Sequence, residues 1–161
     1  GTEAHVGQSG QDEERLAREL GAIPNDHGQY ARYQLRVMVG DSLVDAQHHI
    51  GVAGSVAYET TALTKEMQEE YADSCRWQRE PPRVMVRSHR HRCAKVTLPS
   101  AAGDTLCVVT PAWQLRTPFA YRMPGGRTIT PHIGAVLVRW ANGEIFTREY
   151  VRTVSPPKPV A

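Results

Sequence analysis

The sequence predicts an α/β fold: a mixed β-sheet with flanking helices and C-terminal antiparallel hairpins. Three observations carry this. Gln11 to Leu20 and Glu59 to Arg79 place apolar residues at helical spacing. Short β-branched runs bounded by turn signals lie between and after them, and Arg83 to Val86 reads as a buried strand. Near the end, Asn142-Gly143 separates two apolar runs, a strong signal for a two-residue hairpin turn.

The elements follow in order. Ser9 stands where a helix cap belongs, with Asp12 three residues on, and Leu16, Ala17 and Leu20 share one face of the helix it opens. Asp12, Glu13 and Glu14 sit at its positive end, where dipole and solvent explain them. After a polar turn, Tyr33, Leu35, Val37 and Val39 alternate with Arg32, Gln34, Arg36 and Met38, the pattern of a half-buried strand. Gly40-Asp41 turns the chain into a returning strand, Ser42 to Gln47, which ends at His48-His49. The long helix carries an apolar stripe of Ala62, Leu63, Met67, Ala72 and Cys75, expected to be core, and Pro81-Pro82 stops it. Strands are then expected over Cys93 to Leu98, Thr105 to Val109, Ile133 to Trp140 and Glu144 to Val151, with Thr117 to Thr130 as a loop. One domain spanning 1–154 and a Pro-rich tail over 155–161 complete the expectation.

The composition of 161 residues, 40% hydrophobic and 22% charged, is ordinary for a globular domain. A net charge of +2 does not by itself argue for nucleic acid or membrane. No apolar run reaches bilayer length, and no signal-peptide pattern opens the chain. The three cysteines show no Cys-x-x-Cys spacing, so they read as small, mostly buried thiols in a reducing compartment, the cytoplasm.

Seven histidines are the informative excess. His89 and His91 follow the buried strand as Ser-His-Arg-His. In an extended segment, positions i and i+2 point the same way, so both rings are expected at one site. Imidazole is a common ligand for zinc, manganese, iron and nickel. Arg87, Arg90 and Arg92 flank the pair as candidate phosphate contacts; solvated arginines around an ordinary turn are the plain alternative. His5 and His48-His49 supply two further loop-borne clusters.

Order and context resemble the later blocks of calcineurin-like metallophosphoesterases, particularly phage-encoded ones. Gly1-Thr2-Glu3-Ala4-His5 resembles the Gly-Asn-His-Asp/Glu loop, Gln47-His48-His49 the strand-end His, and Ser88-His89-Arg90-His91 the Gly-His-x-His block. Thr110-Pro111-Ala112-Trp113-Gln114 and the hairpins look like the tail of the phage-encoded members. The resemblance implies half of an αββα sandwich and hydrolysis of a phosphoester, by a phosphodiesterase or nuclease ahead of a phosphatase. It implies one or two divalent ions (Mn, Ni, Fe or Zn) that activate water. His89 and His91 would each bind an ion, and His48, or else His49, would be the strand-end ligand. His5 would protonate the leaving oxygen. The partner implied is a phosphoester substrate, with nucleic acid among the candidates, and the setting is the host-cell cytoplasm if the protein is phage-encoded. The family's upstream Asp-x-His and Gly-Asp blocks are not in the chain, and Thr2 stands where Asn is usual. The resemblance therefore implies the C-terminal part of such an enzyme. A three-His single-zinc hydrolase and a non-catalytic metal- or phosphate-binding module remain beside it.

Overall fold

A computed structural model describes residues 8–51, 56–101, 103–118, 122 and 130–155. The chain forms two compact units, Gly1–Leu35 and Arg36–Ala161, where one domain was expected over 1–154. Most of the 117–130 loop, and the tail after Ser155, lie outside the described residues.

In the first unit, a single 3-10 turn, Gln8–Gly10, leads into helix α1, Gln11–Glu19. The expected Ser9 cap does not form. Ser9 and Gly10 both take left-handed backbone, with φ of 58° and 75°, and no side chain among the described residues caps the helix. The helix ends in a Schellman motif: Ala22 N–H donates to Ala17 O at 2.9 Å, and Gly21 turns at φ +75°. Its Leu16 and Leu20 are 56% and 78% exposed rather than packed. Glu14 does more than the dipole reading allowed. Its two carboxylate oxygens each accept a backbone N–H, from Tyr30 and Ala31, at 2.9 Å. Asn25 Oδ1 folds the intervening turn by accepting the His27 and Gln29 N–H groups.

The second unit is built on a five-stranded mixed sheet of β1 (Gln34–Val39), β2 (Ser42–Gln47), β3 (Val84–Arg87), β4 (Ala94–Leu98) and β5 (Thr105–Val109). The order across it is β1-β2-β3-β5-β4. β3 runs parallel to both β2 and β5, with Val44 opposite Val84 and Val84 opposite Leu106, while β4 pairs antiparallel to β5. Helix α2, Glu59–Arg76, is the crossover between the parallel strands β2 and β3. A central strand is covered on both faces, which is why β3 reads as a near-continuous apolar run.

The core forms where α2 meets the sheet. Leu63 and Met67 pack on Met85, Cys107 and Val109, all nearly excluded from solvent, with Ile50, Ala94, Val96 and Leu98 around them. The far end of the expected stripe differs. Ala72 and Cys75 are exposed, and Ser74 is buried instead, with its hydroxyl donating to Glu70 Oε1 at 3.3 Å. The alternation in β1 also differs from expectation. Leu35 and Val37 are 40% and 41% exposed, whereas Arg36 turns inward to Asp45 and Glu70. An ion pair with a buried carboxylate outweighs the apolar pattern on this edge strand.

The remaining two strands, β6 (His132–Ala141) and β7 (Glu144–Thr153), form a separate antiparallel ribbon. Its turn is the expected Asn142-Gly143, with φ of 55° and 79°. Several contacts fasten the ribbon. Trp140 Nε1 donates to Asp41 Oδ1 at 2.9 Å, Lys95 Nζ lies 3.0 Å from Glu149 Oε1, and Ala112 bridges to Ile133. Among the described residues, no helix is long and apolar enough to cross a membrane.

Candidate metal centre

Parallel pairing decides what meets what. β2 and β3 run side by side in one direction, so the loops leaving their carboxyl ends emerge at the same sheet edge. His48 and His49 follow β2, and His89 follows β3 by two residues. Ser88 N–H donates to His48 O at 3.1 Å, tying the two loops together. The third parallel strand joins at the same edge: Thr110 N–H donates to Arg87 O at 2.7 Å, and the Ser88 and Thr110 hydroxyls are 2.7 Å apart.

Three imidazoles converge there. His48 Nε2 and His89 Nδ1 are 3.2 Å apart. Ring centroids are 4.9 Å apart for His48–His49 and 4.6 Å for His49–His89. One nitrogen from each of the three rings lies within 4.8 Å of the others. Two nitrogens at metal-ligand distance in a tetrahedral set stand roughly 3.3 Å apart. The His48–His89 pair already has that spacing; the His49 ring, which is exposed, has to close on it. Three imidazole nitrogens in this arrangement could hold a metal ion.

The Ser-His-Arg-His segment is not extended. His89 and His91 both have left-handed backbone, with φ of 70° and 55°. The i, i+2 argument therefore fails, and the expectation that His89 and His91 share the site is corrected: His91 is not among the three converging rings. Both His48 and His49 are, where the sequence left one or the other open. His5 lies outside the described residues.

The arginines are also corrected. Arg87 cannot contact substrate, because its side chain is 1% exposed. Its guanidinium is held by Asp45 Oδ2 at 2.7 Å, by Glu66 of α2 and by the Asp45 and Val86 carbonyl oxygens. Burial works against its charge, yet Glu66 and Asp45 outweigh burial and hold its pKa above the usual guanidinium value. Arg90 donates to the Gly51 and Glu59 carbonyl oxygens, so it braces the loop after His49 against the start of α2. Arg92 lies 3.8 Å from Glu59, and its Nε is buried with no hydrogen-bond partner among the described residues.

Two features had escaped the sequence. One is the ionic layer of Arg87, Asp45, Glu66, Arg36 and Glu70 beneath the loops. Its signal was an acid inside a strand of small and apolar residues and an arginine closing a buried one. The other is His132, whose ring Nδ1 accepts the Cys93 N–H at 3.0 Å while its backbone N–H donates to His91 O at 2.8 Å. It pins the segment leaving His91 to the start of β6; no motif marked it. Beside His49 opens a cleft of about 440 Å³ lined also by Gln47, Ile50, Lys65, Glu66 and Glu69.

No protein-family model matches the chain, and no curated protein matches it. Among solved structures, it is similar to a Thermotoga maritima protein determined by solution NMR, at 12% identity and a TM-score of 0.35. The match covers 78% of this chain and 56% of that one, so the chain spans little more than half of that protein's length.

Proposed function

We propose that the protein binds a divalent transition metal through His48, His49 and His89 and takes part in metal-dependent phosphoester hydrolysis. The observation that carries this is the convergence of three imidazoles from the carboxyl ends of two neighbouring parallel strands. The resemblance of the Gln47-His48-His49 and Ser88-His89-Arg90-His91 blocks to metallophosphoesterases supports the choice of reaction, and with it half of an αββα sandwich as the wider architecture. A metal held by His48, His49 and His89 would supply Lewis acidity and lower the pKa of a bound water. The chain's own residues do the positioning. Ser88 and Arg90 fix the two loops to each other and to α2, and the cleft beside His49 offers room for a small substrate.

The test has two parts. Zinc or manganese titrated into the purified chain is expected to bind near one equivalent, with His89→Ala weakening binding by at least about a hundredfold, beyond what loss of an outer hydrogen-bond partner does. Bis-p-nitrophenyl phosphate is then expected to turn over with added manganese, nickel or zinc, and not in His89→Ala. Metal uptake without turnover supports the second reading, a non-catalytic metal-binding module. The all-imidazole donor set favours that reading, since it includes no carboxylate to bridge two ions. No uptake at all removes both.

A further inference from the structure

The β6–β7 ribbon has two unlike faces. Paired residues share a face, so Val136, Val138, Trp140, Ile145 and Glu149 lie on one side and Ala135, Leu137, Arg139, Phe146, Arg148 and Tyr150 on the other. The first face is engaged through Trp140 to Asp41 and through Glu149 to Lys95. The second is turned to solvent: Phe146 and Tyr150 are 48% and 49% exposed, and Leu137 is 46% exposed. Arg152, opposite Ile133, adds a third exposed guanidinium to it, and Glu144, at the turn end, adds a carboxylate.

Arg139, Arg148 and Arg152 make no ion pair with a described residue. Arg148 lies over the Tyr150 ring at 5.0 Å. A face that only served solubility would mix charge signs and hide its aromatics. This one interleaves cations and rings along strands of ten residues, with same-face neighbours spaced about 6.7 Å apart.

We propose that this outer face binds single-stranded nucleic acid. The three arginines neutralise backbone phosphates, and Phe146 and Tyr150 stack on bases. An unpaired strand is favoured over a duplex because only unpaired bases offer their flat faces to exposed rings. The surface shares no residue with the histidine cluster, and the binding does not depend on the hydrolase reading. If both hold, the substrate class is a nucleic acid; if turnover fails and binding holds, only the hydrolase reading falls.

The experiment is fluorescence anisotropy of a fluorescein-labelled 20-nucleotide oligothymidine with the full chain in EDTA. Saturable binding is expected that weakens steeply with salt. The Arg139→Ala/Arg148→Ala/Arg152→Ala variant should reduce the magnitude of the log–log salt slope by about 2, at roughly 0.7 per phosphate contact. Phe146→Ala/Tyr150→Ala should weaken binding at least about tenfold without changing that slope, and the triple Arg→Lys variant should retain it. Circular dichroism checks that each variant folds. Absence of binding, equal affinity for a duplex, or wild-type binding by the folded triple-alanine variant overturns the proposal. So does concentration-dependent self-association that the same variant abolishes, because the face is then an interface between copies.

Discussion

Arg87 Nη2 lies 2.7 Å from Asp45 Oδ2, and the two side chains are 1% and 0% exposed. The pair joins adjacent parallel strands directly beneath the loops that carry His48 and His89. Cutting Arg87 back to alanine leaves a buried carboxylate without its main partner. Arg87→Ala is expected to lower unfolding free energy by about 3–5 kcal/mol, read as a lower urea midpoint. A change under about 1 kcal/mol, the scale of an exposed pair, would mean that water reaches Asp45.

Glu14 gives a pH-dependent reporter in the first unit. The Tyr30 and Ala31 N–H groups, with Arg18 nearby, hold its carboxyl below the ordinary 4.5. The folded state therefore binds fewer protons there than the unfolded chain. The contribution is complete above the ordinary carboxylate value and disappears as pH falls through the lower, folded value. The amide proton shifts of Tyr30 and Ala31 should titrate together, with a midpoint under 4.5. Glu14→Gln should flatten both curves. A midpoint at or above 4.5 would show that the two hydrogen bonds do not form in solution.

The hairpin turn at Gly40 admits no side chain. A Cβ there would come within 2.4 Å of the Trp140 ring, and the backbone is left-handed at φ +64°. Gly40→Ala should destabilise by about 1–2 kcal/mol from the backbone term alone and shift tryptophan emission as Trp140 leaves Asp41. Unchanged emission together with unchanged stability would place the ribbon elsewhere.

The thiols should react in a fixed order. Cys75 is exposed, Cys93 partly covered and Cys107 buried. Burial raises the Cys93 thiol pKa and pushes Cys107 up to about 12, which leaves little thiolate at pH 8. An Ellman titration of the native chain should show one fast thiol, lost in Cys75→Ser, and a last one released only on unfolding. Rapid reaction of all three would contradict the core around Cys107.

Local chemistry was legible in the sequence. Asn142-Gly143, Gly40-Asp41 and the β-branched runs each specify a turn or a strand through nearest neighbours, and the structure has them within a residue or two. Parallel adjacency of β2 and β3 was not legible, because pairing is decided by the α2 crossover and not by either strand. The His48–His49–His89 convergence depends on that adjacency, so the sequence could name all three rings and yet add His91 to them and leave His48 and His49 as alternatives. Arg36 and Arg87 were misjudged for a related reason. A pattern rule places arginine outside, whereas Asp45, buried in the neighbouring strand, draws both inward.

The left-handed backbone at His89 and His91 sets two demands against each other. Glycine would suit both positions better, since a left-handed non-glycine residue carries about 1–2 kcal/mol of strain. His89→Gly should therefore raise the melting temperature while it abolishes zinc uptake. A single substitution that strengthens the scaffold and disables it at once would mark position 89 as one kept for what its ring does, at the expense of how easily the loop is made.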